Sequence, residues 1–250
     1  MTDDVDAQAR ALLQMLRTPK RRVRPRLAEA LREAEDRVVE TPVGPVMTWR
    51  VGEGPAVLLV HGWEDDNALW SPLLERLWAV GRSALVLDLP GHGFSEASLS
   101  SPEAASEALV AVTEAAGPVD AVVAHSFGCP VSILAMKRGL PARRAALIAA
   151  AIPARRGWFD RLAERGVPEA VLTRAAELMT PVYDVEADTP AMTAEALFIH
   201  SLDDEQTPVG NAETLAALWP GAQMSLTDGL GHRPVAQDAA VLDEVVAFVG

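Results

Sequence analysis

Val122-Val123-Ala124-His125-Ser126-Phe127-Gly128 is the stretch that decides the fold. An apolar run passes straight into a small-x-Ser-x-Gly turn, and helix-forming sequence begins at once beyond Gly128. Strand, tight turn and helix in that order mark one unit of an α/β sheet, because parallel strands need a covering crossover between them. The turn has to be sharp. Small residues on both sides let the chain reverse and lift the hydroxyl above the sheet, and Ala124 stands here where such turns usually carry Gly. A serine at this point could serve only as the N-cap of the following helix. The strand before it and the helix after it favour Ser126 as a nucleophile.

Working outward, Ala56-Val57-Leu58-Leu59-Val60 is apolar throughout, as a strand buried on both faces should be. Val38-Val39-Glu40 and Val46-Met47-Thr48-Trp49 read as two earlier strands separated by Gly and Pro turn signals. Beyond residue 60 the pattern alternates. It predicts helices near 68–80, 102–116, 128–138, 210–218 and 234–249, and strands near 83–88, 119–124, 145–151, 195–200 and 222–227. Such alternation implies an α/β fold with a doubly wound, mostly parallel sheet, whose working residues collect on loops at the carboxyl ends of strands. Ahead of the sheet, apolar spacing over 5–17 and 26–37 predicts two helices, an N-terminal helical extension (1–37) on the outside of a domain spanning 38–250. An interruption at about 153–193 is helical in character, with breaks at Gly166-Val167-Pro168 and Thr180-Pro181. A connection this long is usually functional, and it reads as a small helical cap.

Composition narrows the class of partner. A net charge of −13 over 250 residues argues against nucleic acid, which demands a basic face. The one basic cluster, Lys20, Arg21, Arg22, Arg24 and Arg26, reads as a solvated linker, and Glu64-Asp65-Asp66 as a solvated acidic loop. No apolar run approaches the roughly 20 residues of a membrane span. The acidic start does not resemble a secretory leader, and Cys129, the single cysteine, allows no internal disulfide. A cytoplasmic location is the expectation.

Further segments carry a resemblance: Leu58-Leu59-Val60-His61-Gly62-Trp63, Leu87-Asp88-Leu89-Pro90-Gly91-His92-Gly93-Phe94-Ser95, His200-Ser201-Leu202-Asp203-Asp204 with Pro208, and Gly229-Leu230-Gly231-His232. From about residue 38 onward the chain resembles a bacterial α/β-hydrolase of the serine hydrolase, esterase-like branch. The resemblance implies a triad in the chain order Ser, acid, His, with His232 as general base. The family pattern Gly-x-x-Asp-x-x-x-Pro, with Ser201 in place of Gly, selects Asp204 as the acid, and Asp203 is the alternative. His61, His92, His125 and His200 take structural readings, and their spacing fits no metal site. No cofactor or metal is expected.

Two backbone N–H groups, of Trp63 and Phe127, are the expected oxyanion donors. Trp158 and Phe159 are candidates for an apolar pocket, with ordinary packing of cap on core as the competing account. Cys129 reads as a small buried helix residue. The implied reaction is hydrolysis of a small or medium carboxylic ester or thioester through an acyl-enzyme, with activity that falls as acid protonates His232. Two rival readings are a ligand-binding protein without turnover, and a carbon–carbon bond hydrolase or perhydrolase with the same triad. The sequence does not give the oligomeric state.

Overall fold

The structure, a computed structural model, describes residues 2–24, 34–152, 159, 162–179 and 183–250. Its strands are β1 (Glu35–Val39), β2 (Val46–Val51), β3 (Ala56–Val60), β4 (Ser83–Leu87), β5 (Ala121–His125), β6 (Arg144–Ile148), β7 (Glu195–Ser201) and β8 (Gln223–Thr227). They form one sheet in the order β1-β2-β4-β3-β5-β6-β7-β8. β1 and β2 are antiparallel neighbours at one edge, β2 meets β4 antiparallel, and the remaining pairings are parallel.

The described helices are α1 (Thr2–Leu16), α2 (Ser71–Ala79), α3 (Pro102–Ala116), α4 (Gly128–Lys137), α5 (Glu169–Leu178), α6 (Val185–Asp188), α7 (Gly210–Leu218) and α8 (Ala239–Val249). The two-residue period of the strands sorts the core into two layers. Leu58, Val60, Leu85, Leu87, Val122 and Ala124 share a cluster with Leu109 of α3, Leu134 of α4 and Leu215 of α7. Their neighbours Val57, Leu59, Ala84, Val86 and Val123 pack instead with Leu73 and Leu77 of α2 and Val245 of α8. Buried on both faces, the central strands are apolar at nearly every position, the buried exceptions being Ser83 at the start of β4 and His125 at the end of β5.

This winding places the site. From β3 the chain crosses by α2 to β4 on one side, then returns by α3 over the other face to β5, beyond β3. The carboxyl ends of β3 and β5 therefore flank a topological switch point, where an open α/β sheet leaves a crevice. Val60 lies beside Ala124 in the register, so His61-Gly62-Trp63 and His125-Ser126 leave neighbouring strand ends.

Three expectations are corrected. Residues 26–33 of the second expected helix lie outside the described residues, and Glu35, Asp36 and Arg37 belong to β1, paired with Arg50, Trp49 and Thr48. An exposed edge strand can carry charge on both faces, so alternation gave no warning. The helix expected over 234–249 is divided: a 3-10 turn at Pro234–Ala236 precedes α8, which Asp238 caps at the Ala240 and Val241 N–H groups. The one expected over 68–80 likewise opens as a 3-10 turn, Asn67–Trp70, capped by Asp66.

The N-terminal helix finds its partner in the insertion. Ala9, Leu12 and Leu13 of α1 form a small cluster with Val171, Leu172 and Ala175 of α5, and Arg174 Nε donates to Asp6 Oδ1 at 2.6 Å. Among the described residues no helix is long and apolar enough to cross a membrane.

Candidate active site

Ser126 sits at φ +52°, in the left-handed region that L-residues avoid. Holding a non-glycine residue there costs on the order of 1–3 kcal/mol, and the surroundings must over-determine it. They do so through main-chain bonds: the Ser126 N–H donates to Ile148 O at 2.9 Å, and Ser126 O accepts from the Cys129 N–H at 3.0 Å. Gly128 is needed for contact rather than for conformation. A β-carbon there would stand 2.5 Å from Val60 O and 2.7 Å from His61 O, so the first turn of α4 lies directly on the end of β3.

The Ser126 hydroxyl meets His232 Nε2 at 2.9 Å, and His232 Nδ1 meets Asp204 Oδ2 at 2.7 Å. An ionised carboxylate only accepts, so Nδ1 carries the proton and Nε2 is left to accept from the serine. Asp204 is fixed in turn, its Oδ1 accepting from the Gln206 N–H at 2.8 Å and the Thr207 N–H at 2.9 Å. Burial alone would raise the pKa of this carboxyl. Hydrogen bonds from His200, His232 and the Thr207 N–H outweigh burial and hold the group well below the usual carboxylate range.

Asp203 does different work. It accepts from the Ser201 hydroxyl and from the Gly231 N–H (3.0 Å), bracing the turn that leads to His232 without touching the imidazole. His125 Nε2 donates to the His232 carbonyl at 2.9 Å, and burial, then the neighbouring His232, lowers its pKa to about 4. It is a neutral brace behind His232.

The loop after β3 is held by His61, which is fully buried. Its Nε2 accepts from the Leu89 N–H at 2.9 Å, so Nδ1 carries the proton and donates to Gly62 O at 2.7 Å. The Gly62–Trp63 peptide is trans. Anchoring its carbonyl on His61 therefore turns the Trp63 N–H the opposite way. Gly62 runs against Ser126, for a β-carbon on it would stand 3.2 Å from Ser126 Cβ and 3.0 Å from His125 Nδ1. Among the described residues no protein group accepts from the Trp63 or Phe127 N–H. The Trp63 ring lies edge-on to Phe127 and His92, with centroids 5.1 and 5.3 Å away.

Other candidates fare differently. Trp158 lies outside the described residues. Phe159 packs against the α1–α5 cluster. Cys129 is buried and burial pushes its thiol far above the usual range, which removes thiolate chemistry. The acidic loop and the basic segment, each read as solvated, are partners. The Lys20 N–H donates to Glu64 Oε1 (3.1 Å), the Arg24 N–H to Asp66 Oδ2 (2.8 Å), and the Arg24 guanidinium pairs with Asp65 and Asp66. Arg233, beside His232, also grips Asp65 (Nε to Oδ2, 2.8 Å), a contact not legible in the sequence. Opposite charge in two short clusters was the available sign, but nothing local joins positions forty residues apart.

A hydroxyl, an imidazole and a carboxylate linked in series at the switch point of an α/β sheet define the class: the chain belongs to the alpha/beta hydrolase family, which matches residues 57–244. Among curated relatives, the pimeloyl-[acyl-carrier protein] methyl ester esterase of Xanthomonas campestris pv. campestris (strain B100) is 27% identical over 231 residues, covering 74% of this chain and 90% of that protein. Two solved structures share the fold. An esterase from Pyrococcus furiosus has a TM-score of 0.71 at 18% identity, with 93% of this chain and 96% of that one covered. An esterase from Exiguobacterium antarcticum has a TM-score of 0.70 at 16% identity, with 86% and 99% covered.

Proposed function

We propose that this protein is a serine hydrolase that cleaves a small or medium carboxylic ester or thioester through an acyl-enzyme. The observation that carries the reading is the unbroken hydrogen-bond series from Ser126 through His232 to Asp204. Ester hydrolysis draws further support from the curated Xanthomonas relative, which is named for cleaving a methyl ester.

In this mechanism Ser126 Oγ attacks the carbonyl carbon while His232 Nε2 takes its proton. Asp204 keeps the imidazole in the productive tautomer and stabilises the imidazolium that forms. The Trp63 and Phe127 amides receive the oxyanion, and the Phe127 donor gains from the positive end of the α4 dipole. His232 then protonates the departing alcohol or thiol, and a water attacks the acyl-enzyme by the same route in reverse.

The insertion at about 153–193, together with α1, serves in this reading as a cap over the crevice. The packing of α1 on α5 supports that role. Acids already answer much of the 20–24 segment and the net charge is −13, so nucleic acid is not the partner. A single cysteine, buried and unpaired, suits the cytoplasm.

The test is a fluorophosphonate probe followed by mass spectrometry, with Ser126→Ala as the blank. One adduct on Ser126, and hydrolysis across a panel of esters and thioesters of graded acyl length, is the expected result. Folded protein that takes no adduct and turns over no member of the panel would instead be a ligand-binding protein.

A further inference from the structure

The N-terminal segment does not end at α1. After Leu16 the chain runs along the rim of the crevice, fixed at successive points. Arg17 O accepts from the Ser100 N–H at 2.7 Å, Arg21 Nη2 donates to Ala97 O at 3.2 Å, and Lys20 and Arg24 bind the acidic loop through their own N–H groups. Arg24 then delivers one nitrogen, Nη1, to both Asp65 and Asp66. From the other side Arg233 approaches Asp65 as a fork, Nε to Oδ2 at 2.8 Å and Nη2 to Oδ1 at 3.3 Å. One buried carboxylate thus joins three distant stretches of chain: the extension, the loop two residues past Trp63, and the residue next to His232.

Both ends of this bridge need outside support. The loop carries Glu64 at φ +53°, a strained conformation for a side-chain-bearing residue. The turn before His232 is Gly229-Leu230-Gly231, with both glycines at positive φ and little intrinsic stiffness. Ser201 and Asp203 hold it on one side through the Leu230 and Gly231 N–H groups. Arg233 on Asp65 holds it on the other.

We infer that Asp65 is a positioning residue: through Arg24 and Arg233 it locks the N-terminal extension to the His232 turn and the Trp63 loop, so that the extension sets the alignment of base and oxyanion donor. This inference rests on the serine hydrolase reading. Two cations face two carboxylates, Asp65 and Asp66, in a partly desolvated place where attraction is stronger than at an open surface. Burial on its own would raise the Asp65 pKa, but the bonds from Arg233 and the charges of both arginines bring it to about 2, so the bridge stays ionised throughout the working range.

The geometry makes the two arginines unequal. Arg24 uses a single nitrogen, which a lysine ammonium can imitate. Arg233 uses the planar fork, which it cannot. Arg24→Gln should lower kcat about tenfold and slow fluorophosphonate labelling of Ser126 in parallel, with KM within about twofold, because the loss is of alignment rather than of binding. Arg24→Lys should return to near wild type, whereas Arg233→Lys should stay as slow as Arg233→Gln. Arg138→Gln, which breaks an exposed pair with Glu107, controls for charge alone.

Asp65→Asn would strip Arg233 of its charged partner and leave Arg24 with Asp66 alone, and could fail to fold, so the deciding measurement is hydrogen exchange on the intact Arg24→Gln protein. Faster exchange in residues 62–66 and 229–233, together with the kinetic loss and its rescue by lysine, supports the inference. Exchange that changes only in residues 17–24, with labelling at the wild-type rate, overturns it. Wild-type protein that never labels would overturn the hydrolase reading instead, and exchange in the His232 turn would still report whether the bridge exists.

Discussion

Asp203 and Asp204 stand side by side, yet their hydrogen bonds assign them different tasks, and that difference can be measured. Asp204→Asn places an amide against three N–H donors, those of Gln206, Thr207 and His232, and the imidazole loses the acceptor that fixes its tautomer. A fall in kcat of roughly a thousandfold or more is expected on any ester the protein cleaves. Asp203→Asn only loosens the Gly231 turn, and its loss should stay within about tenfold. Equal losses in the two variants would sink the assignment of Asp204. At Gly128 the matter is steric. Alanine drives a methyl into the carbonyls of Val60 and His61, which belong to a central strand end and have little room to retreat. Gly128→Ala should therefore cost about 2–3 kcal/mol in urea unfolding as well as activity. A variant with wild-type stability would mean that α4 can slide off β3.

Elements with a strong period were legible. Helices over 102–116 and 210–218 and the strand at 56–60 came from pattern alone, because burial on one or both faces writes itself into every position. Where a local device interrupts the period, the reading slipped: Asp238 caps a new helix just where apolar spacing ran on, a 3-10 turn capped by Asp66 opens the stretch ahead of α2, and β1 carries its charges at an exposed edge. Ser126 was legible as a candidate because a tight turn demands small residues in fixed order, whereas Asp204 and His232 were singled out only through the resemblance to the α/β-hydrolase family. Asp65 and Arg233 were not legible, since the pairing spans 168 positions and leaves no periodic trace. Packing of α1 on α5 was equally invisible, because two amphipathic helices do not announce which faces will meet. That contact gives a prediction at this scale. Leu12→Ala or Leu172→Ala should remove about 2 kcal/mol or more from the α1–α5 cluster while sparing the sheet. Limited proteolysis should then cut within α1 or α5 well before the strands, and simultaneous cleavage of both would show that the α1–α5 pair and the sheet open as one unit.

At the scale of the whole molecule, the buried histidines make stability depend on pH. Burial, reinforced by a neighbouring imidazole, lowers His125 to about 4 and His92 to about 3. In the unfolded chain both return to an ordinary value of about 6.5. Between those limits the unfolded chain binds more protons than the folded one, so the free energy of unfolding increases with pH. These two groups therefore leave stability whole above about pH 6.5 and drain it as acid is added, until the folded values are reached near pH 4 and 3. Asp204 and Asp65, both held below the usual carboxylate range, act with the same sign further down: they stabilise above about pH 4 and cease to do so as pH falls towards their folded values. The His125 contribution alone is on the order of 3 kcal/mol between neutrality and pH 4, a sizeable part of a typical domain's stability. Urea midpoints taken from pH 7.5 to 4.5 at constant ionic strength should fall steadily, beginning well above the carboxylate range. His125→Gln should flatten the upper part of that slope even if it destabilises the fold at neutral pH, because an amide keeps a donor for the His232 carbonyl without a proton to gain. A midpoint that stays level down to pH 5 would mean that His125 is protonated inside the fold, and with it the claim that a neutral imidazole braces His232 would fail.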